Sequence, residues 1–334
     1  LKLEEYELGE QLPPDQLLVK NEFSLISPGT ELALYTGTHT GIHNPDIPFA
    51  KYPFYPGYAS VGVIERAGSE AEASGYSPGD RVYSISKHAG YNRVSVSGQR
   101  DNKPVIRLPS GLSAQEAVFA RLAAISMTSV YQAKAETGDI VAIFGMGLVG
   151  NLAAQLFSLR GAVPVCIDVE PRRLEMAREA GLEHRLLSGA EVKVKVKEAI
   201  RERFGAEPAI VVEATGVPAL VGEALDLVKA RGQVILLGSP RGTAEIKVYE
   251  HIHCKGVSLI GAHEMVQSMP GVPNRSKTTA YVMDLISKGL LRIKPLITHH
   301  LPYEQADAAY DMLLNRKNEA LGVLLDWRDS SITQ

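Results

Sequence analysis

Cysteine is nearly absent from this 334-residue chain, which has only Cys166 and Cys254. Cys166 falls inside a run read as a buried strand, so neither cysteine suggests a disulfide or a metal ligand. Long hydrophobic runs are also missing. No window approaches the ~20 apolar residues of a membrane span, and Leu1-Lys2-Leu3-Glu4-Glu5 places charge where a signal peptide needs an apolar stretch. The expectation is a cytoplasmic protein. Nor is there an excess of charge of one sign: the formal net charge is −3, which argues against nucleic acid or an anionic membrane as the main partner and leaves a small molecule. No internal repeat or low-complexity segment interrupts the chain.

Hydrophobic residues make up 45% and charged residues 22%, an ordinary balance for a globular protein. At ~150 residues per domain the length suggests two domains. Up to about residue 115 the chain is rich in Gly and Pro. Short β-type runs such as Leu17-Leu18-Val19 and Ser60-Val61-Gly62-Val63-Ile64 are punctuated by Ser27-Pro28-Gly29, Tyr55-Pro56-Gly57 and Ser77-Pro78-Gly79-Asp80. This reads as an irregular β domain. Glu116 to Lys134 is Ala-rich with helical spacing and predicts a connecting helix.

Strand and helix then alternate. A helix runs to Leu159, a strand follows, and the next helix opens at Pro171 and closes at Gly181, each residue at its favoured end. Val192, Val196, Ala199, Ile200 and Phe204 form a helical stripe, although Val192 to Lys197 also alternates as an edge strand would. Apolar strands Ala209 to Gly216 and Gln233 to Gly238 follow, then Val257 to Gly261. The tail holds a helix, Tyr303 to Leu314, and a strand, Ala320 to Leu325, expected to return to the N-terminal domain.

The most informative segment is Asp139-Ile140-Val141-Ala142-Ile143-Phe144-Gly145-Met146-Gly147-Leu148-Val149-Gly150. An apolar strand breaks into G-x-G-x-x-G and opens a helix, the place where a dinucleotide pyrophosphate binds. Gly145 permits the turn, Gly147 admits the pyrophosphate and Gly150 lets helix pack on strand, while the amides of the turn, with Met146, Leu148 and Val149, face the phosphates. The following strand, Val163 to Ile167, ends on Asp168. A carboxylate there accepts from both ribose hydroxyls and repels a 2′-phosphate, which favours NAD over NADP. As a helix cap, Asp168 would have a plainer role.

The order of β domain, connecting helix, glycine-turn domain and returning tail resembles the medium-chain dehydrogenase/reductase superfamily of the alcohol dehydrogenase type. Gly29-Thr30-Glu31-Leu32 stands for its C-G-T-D-L, Pro56-Gly57-Tyr58-Ala59 for G-H-E, and Gly79-Asp80-Arg81-Val82 for G-D-R-V. Val212-Glu213-Ala214-Thr215-Gly216 adds a fourth match. The resemblance implies a Rossmann-type doubly wound sheet plus a GroES-like irregular β-barrel domain. Its expected divisions are a substrate domain at 1–117, a dinucleotide domain at 118–290 and a return at 291–334. In zinc-dependent members a Cys, a His and a Cys or acid hold the metal, whereas those places here hold Pro28, Tyr58 and Ala124, the last set by Thr128. None is a usual zinc ligand, and Val82 to Val94 lacks the cysteines of the structural lobe. The expectation is therefore no metal. The Ser27-Pro28-Gly29-Thr30-Glu31 loop resembles the subgroup containing bacteriochlorophyllide dehydrogenase and bidomain oxidoreductases.

By the same resemblance Arg173, Thr128, Thr215, Leu237, Gly238 and Ser239 join the cofactor side, although Arg172 and Arg173 also read as a solvated helix face. Thr30 matches the family's proton-relay Thr, and reads equally as a turn residue. A metal-free site needs groups that stabilise an alkoxide and exchange its proton, and the candidates are His88 and Tyr58, then Lys87 and His39. His39 with His43 as an atypical metal pair is opposed by Gly41 and Pro45, and His263 is a further substrate-side candidate. These residues imply hydride transfer between NAD(H) and an alcohol or ketone in a cleft between the domains. The alternatives are a quinone or enone reductase and a non-catalytic dinucleotide-binding protein. A homodimer or homotetramer is expected, with Lys247 to Ile260 near its interface.

Overall fold

Strand β1 (Gln16–Leu25) organises the N-terminal part because it is bonded along both edges. On one side it pairs antiparallel with β2 (Ser60–Ala67), which pairs with β3 (Arg81–Ser84), and that with β5 (Val105–Arg107). Its other edge is shared: β4 (Tyr91–Ser95) takes Gln16 to Lys20, and the C-terminal strand β13 (Gly322–Asp326) takes Phe23 to Leu25. β12 (Ile297–Pro302) adds in parallel to β13. The expected return of the tail is thus a ladder of backbone hydrogen bonds. Leu17, Val19, Ile64, Val82 and Val94 form one core beneath this sheet, and Ile26, Tyr310, Val323, Leu325 and Trp327 another. The short helices α1 (Thr30–Tyr35), α2 (Ser69–Ala73) and α3 (Ala114–Ala117) sit in the connections.

The second sheet is wholly parallel, with order β11-β10-β9-β6-β7-β8. Its strands are β6 (Ile140–Phe144), β7 (Val163–Asp168), β8 (His184–Leu187), β9 (Ile210–Glu213), β10 (Gln233–Leu236) and β11 (Ser258–Gly261). Numbered from β6, this is the doubly wound order 3-2-1-4-5-6. Central strands β6 and β9 are buried along their length and apolar apart from the terminal Glu213, as a parallel sheet covered on both faces requires. The helices are α4 (Ala120–Gln132), α5 (Leu148–Leu159), α6 (Pro171–Glu179), α7 (Lys193–Phe204) and α8 (Leu220–Leu227). Pro171 opens α6, and Gly181 beyond its end has φ +88°.

The computed structural model describes all residues except 10, 48, 98–102, 190–192 and 331–334. Val192, the first member of the expected helical stripe, lies outside the described residues, while the helix itself is present as α7. The chain divides into one unit of 1–121, 273–289 and 297–334 and another of 122–272 and 290–296. These limits differ from the expected 118–290. Helix α9 (Arg275–Ser287), capped by Asn274, belongs to the first unit, where it packs on α3. The single helix expected over 116–134 is two: α3 ends at Ala117, Phe119 bonds tightly back to Glu116, and α4 restarts at Ala120. The tail helix is likewise a short 3-10 turn at Tyr303–Gln305 followed by α10 (Ala306–Asn315).

Candidate active site

In the second unit the glycine turn is built by backbone contact. Gly145 has φ +92°, and a Cβ on Gly150 would lie 1.8 Å from the Gly145 carbonyl oxygen, so no side chain fits there. A Cβ on Gly147 would meet nothing within 4 Å, which leaves open space at the start of α5, where Leu148, Val149 and Gly150 present their amides. Asp168 ends β7 with its side chain 3% exposed. One oxygen accepts the Met146 amide (2.6 Å), tying strand end to turn, and the other accepts the Glu170 amide (2.8 Å). Arg173 approaches the same carboxylate at 3.7 Å. Asp168 is therefore an anchor of the turn and of the chain entering α6 and not the cap of that helix, whose N-cap is Glu170, and each oxygen keeps lone-pair capacity for a hydroxyl donor.

The ends of β9 and β10 meet backbone to backbone. The Leu237 and Gly238 amides both donate to the Glu213 carbonyl (2.9 and 2.8 Å), and Gly216 packs on Ser239. The buried Glu213 carboxylate accepts the Thr215 amide (2.7 Å), the Thr215 hydroxyl and the Gly216 amide. Thr128 is fully buried, its hydroxyl within reach of the Ile125 and Ala262 carbonyls (2.7 and 2.5 Å), so it fastens α4 to the end of β11. His263 caps the turn that follows, accepting the Met265 amide. The turn, the strand ends and the acid fit a dinucleotide.

The first unit brings Thr30, Tyr58 and His88 into one cluster. Gly57, at φ +98°, makes this possible: a Cβ there would lie 2.2 Å from the His88 amide nitrogen, so the chain before β2 and the loop after β3 touch only through glycine. The Tyr58 hydroxyl donates to Ser27 and is also hydrogen-bonded by Thr30. The buried Arg121 guanidinium lies over its ring, 5.1 Å from the centroid. Burial, and then the negative charge of Glu31, push the Tyr58 phenol up to about 12, against the opposing pull of Arg121, Ser27 and Thr30. At neutral pH it is a hydrogen-bond donor.

Glu31, 1% exposed, accepts the Ser27 amide (2.9 Å), faces His88 Nε2 (2.9 Å) and accepts the Tyr310 hydroxyl. His88 Nδ1 meets the Ser24 hydroxyl (2.8 Å), which accepts from the Trp327 indole (2.7 Å). Lys87 and His39 are engaged elsewhere. Lys87 donates to the Tyr55 carbonyl (2.6 Å) and lies over Phe54, with burial lowering its ammonium's hold on the proton. His39 accepts the Gly41 amide (3.0 Å) and packs edge-on to Phe49. Six residues of the cluster escaped the sequence reading as site residues: Ser24, Ser27, Glu31, Arg121, Tyr310 and Trp327. Of these, Glu31 left a signal as the acid of the C-G-T-D match, and Ser27 as the first residue of the Ser27-Pro28-Gly29-Thr30-Glu31 loop.

The donor set does not fit zinc. Pro28 and Ala124 carry no side-chain donor atom, the Tyr58 hydroxyl is engaged with Ser27, and Glu31 and His88 turn their facing atoms on one another. Among the described residues no group of three or more His, Cys, Asp or Glu is arranged to hold a metal ion.

Residues 149–286 match the zinc-binding dehydrogenase family. Sorbitol dehydrogenase of Bacillus subtilis is 25% identical over 323 residues, spanning 89% of this chain and 86% of that protein. The 2R,3R-butanediol dehydrogenase of Bacillus subtilis superposes with a TM-score of 0.78 at 20% identity, over 96% of this chain and 95% of that one. An alcohol dehydrogenase of Escherichia coli, RspB, solved with NADH, superposes with a TM-score of 0.74 at 20% identity, over 95% and 93% of the two chains.

Proposed function

We propose that the chain is a zinc-independent, NAD-linked oxidoreductase of the medium-chain dehydrogenase/reductase type acting on an alcohol or ketone, a reading supported by the zinc-binding dehydrogenase match over 149–286 and the likeness to sorbitol dehydrogenase. The observation that carries this reading is Tyr58. It replaces the family's metal-binding His, and its protonated hydroxyl stands beside Ser27 and Thr30, with the Arg121 cation over its ring and the Glu31 anion nearby. When bound, the nicotinamide supplies or accepts the hydride. Tyr58 hydrogen-bonds the substrate oxygen, donating toward a carbonyl as negative charge develops on it, and Thr30 and Ser27 exchange the proton.

The cofactor preference rests on Asp168. Its carboxylate keeps lone-pair capacity for ribose hydroxyls and would oppose a 2′-phosphate, although Arg173 at 3.7 Å moderates that charge. Supporting assembly, among the described residues β11 pairs with β10 alone and exposes part of Leu259 (38%), and Val248 and Tyr249, in the segment preceding it, are exposed. Such an edge is covered by a second copy in the proposed dimer or tetramer, which light scattering tests; a monomer at working concentration overturns it.

The function is tested by metal analysis, cofactor titration and a panel of polyols, sugars, ketones and enones. Expected are no stoichiometric zinc, tighter NADH than NADPH binding, and turnover of an alcohol–ketone pair that survives chelator. About one retained zinc per chain would overturn zinc independence. Turnover confined to enones would favour the reductase alternative, and cofactor binding without turnover of any panel member the non-catalytic one.

A further inference from the structure

Glu31 anchors a buried hydrogen-bond array that the proposed reaction does not itself consume. Its Oε1 accepts the Ser27 amide, and its Oε2 faces the Tyr310 hydroxyl and His88 Nε2. The Ser27 amide can only donate, so Glu31 Oε1 accepts it, and the Tyr310 hydroxyl donates to Oε2. On the other side of the imidazole, the Trp327 indole can likewise only donate, so it occupies one lone pair of Ser24 Oγ and leaves the Ser24 proton for His88 Nδ1. For a neutral imidazole facing a carboxylate this leaves one arrangement: the proton on Nε2, pointing at Glu31. Ser27 then links this array to the reacting group, with its amide on Glu31 and its hydroxyl on Tyr58.

We propose that Glu31 is the positioning residue of this site: it fixes His88 as the Nε2–H tautomer and pins the Ser27–Thr30 loop so that Tyr58 is presented as a hydrogen-bond donor. The proposal rests on the reading that Tyr58 contacts the substrate oxygen. The ionisable groups acting on Tyr58 come from several elements: Glu31 from α1, Arg121 from α4 and Tyr310 from α10. Lys87 acts on Glu31 from the loop after β3. Glu31 pushes the Tyr58 phenol up and Arg121 pulls it down, so removing the Glu31 charge removes the upward push and leaves the Arg121 pull in place.

Two spectra on the full-length protein test this without any knowledge of the substrate. Histidine nitrogen shifts should show His88 as the Nε2–H tautomer. In Glu31→Gln the carboxamide oxygen stays with the Ser27 amide and the NH₂ turns to His88. That NH₂ can only donate, so the imidazole proton should move to Nδ1 and donate to Ser24. Titration of Tyr58 followed through its labelled ring carbon should shift to lower pH in the same variant. Glu22→Gln, which removes the carboxylate partner of the exposed Arg81 (2.9 Å), should move neither signal. An Nδ1–H tautomer in the unmodified protein overturns the proposal even if Glu31→Gln fails to fold. So does a folded Glu31→Gln that keeps the tautomer and the Tyr58 titration. Full turnover in Tyr58→Phe would instead overturn the function proposed above, and it is read separately from these spectra, which report on Glu31.

Discussion

The two units solve their chemical tasks with different parts of the chain. In the sheet of β6 to β11 the candidate cofactor cradle is mostly backbone: a glycine turn, helix amides, strand ends in backbone contact, and one acid anchoring the turn. In the unit of β1 the candidate site is almost entirely side chain: two tyrosines, a histidine, a glutamate, an arginine and hydroxyls from five separate stretches of sequence. Backbone sites are intolerant of added atoms and indifferent to most side chains. Side-chain sites fail by loss of a single functional group while the fold persists.

That contrast is sharpest at Tyr58. Tyr58→Phe keeps the ring under Arg121 and loses only the hydroxyl, so kcat should fall by ~10²- to 10⁴-fold, as for removal of a positioned acid or base, while NADH affinity stays unchanged. A loss of affinity of the same size would erase the distinction between the units. Gly150→Ala should do the reverse. A methyl forced to within 1.8 Å of a carbonyl oxygen costs at least the ~1–3 kcal/mol of ordinary overpacking. Thermal unfolding should show this as a lower Tm together with lost cofactor binding.

Asp168→Ala probes the acid that anchors the turn of the cradle. It removes two backbone hydrogen bonds and the proposed ribose contact, and hydrogen bonds to charged groups contribute ~1.5–3 kcal/mol. NADH affinity should drop by about tenfold or more and the preference over NADPH should narrow, both measurable by fluorescence titration. Unchanged preference would assign cofactor choice to Arg173 instead.

The smallest expected effect concerns alkaline pH. A tyrosine held protonated in the folded state to about 12 binds its proton where the unfolded phenol, near 10, has released it. Stability therefore falls as pH rises through that window and is unaffected below it. Tyr58→Phe should lose less stability there than the unmodified protein. Tyr310, raised by burial and by Glu31, maintains part of the decline.

The cradle was legible because its signals are local. The Gly145, Gly147 and Gly150 spacing, the apolar run before it and the acid ending the next strand are all set by turn and parallel-sheet geometry. Tyr58 and Thr30 were legible only as family positions, and His88 only as a titratable residue following the G-D-R-V strand. Nothing local distinguished them from Lys87 and His39, which the fold ties to the Tyr55 carbonyl and the Gly41 amide.

By itself, then, the sequence determined the alternation of strand and helix, the dinucleotide turn, the absence of zinc-type ligands at Pro28, Tyr58 and Ala124, and the return of the tail. The first two follow from the residue types and their order within a few turns of chain, whereas the zinc-ligand positions and the tail's return were implied by the family resemblance. Tertiary structure alone decided that Glu31 meets Tyr310 and His88, that Trp327 reaches Ser24, and that Arg121 covers Tyr58. These partners lie on strands and helices far apart in sequence, and their hydrogen bonds exist only because β13 pairs with β1 and Gly57 admits the His88 backbone.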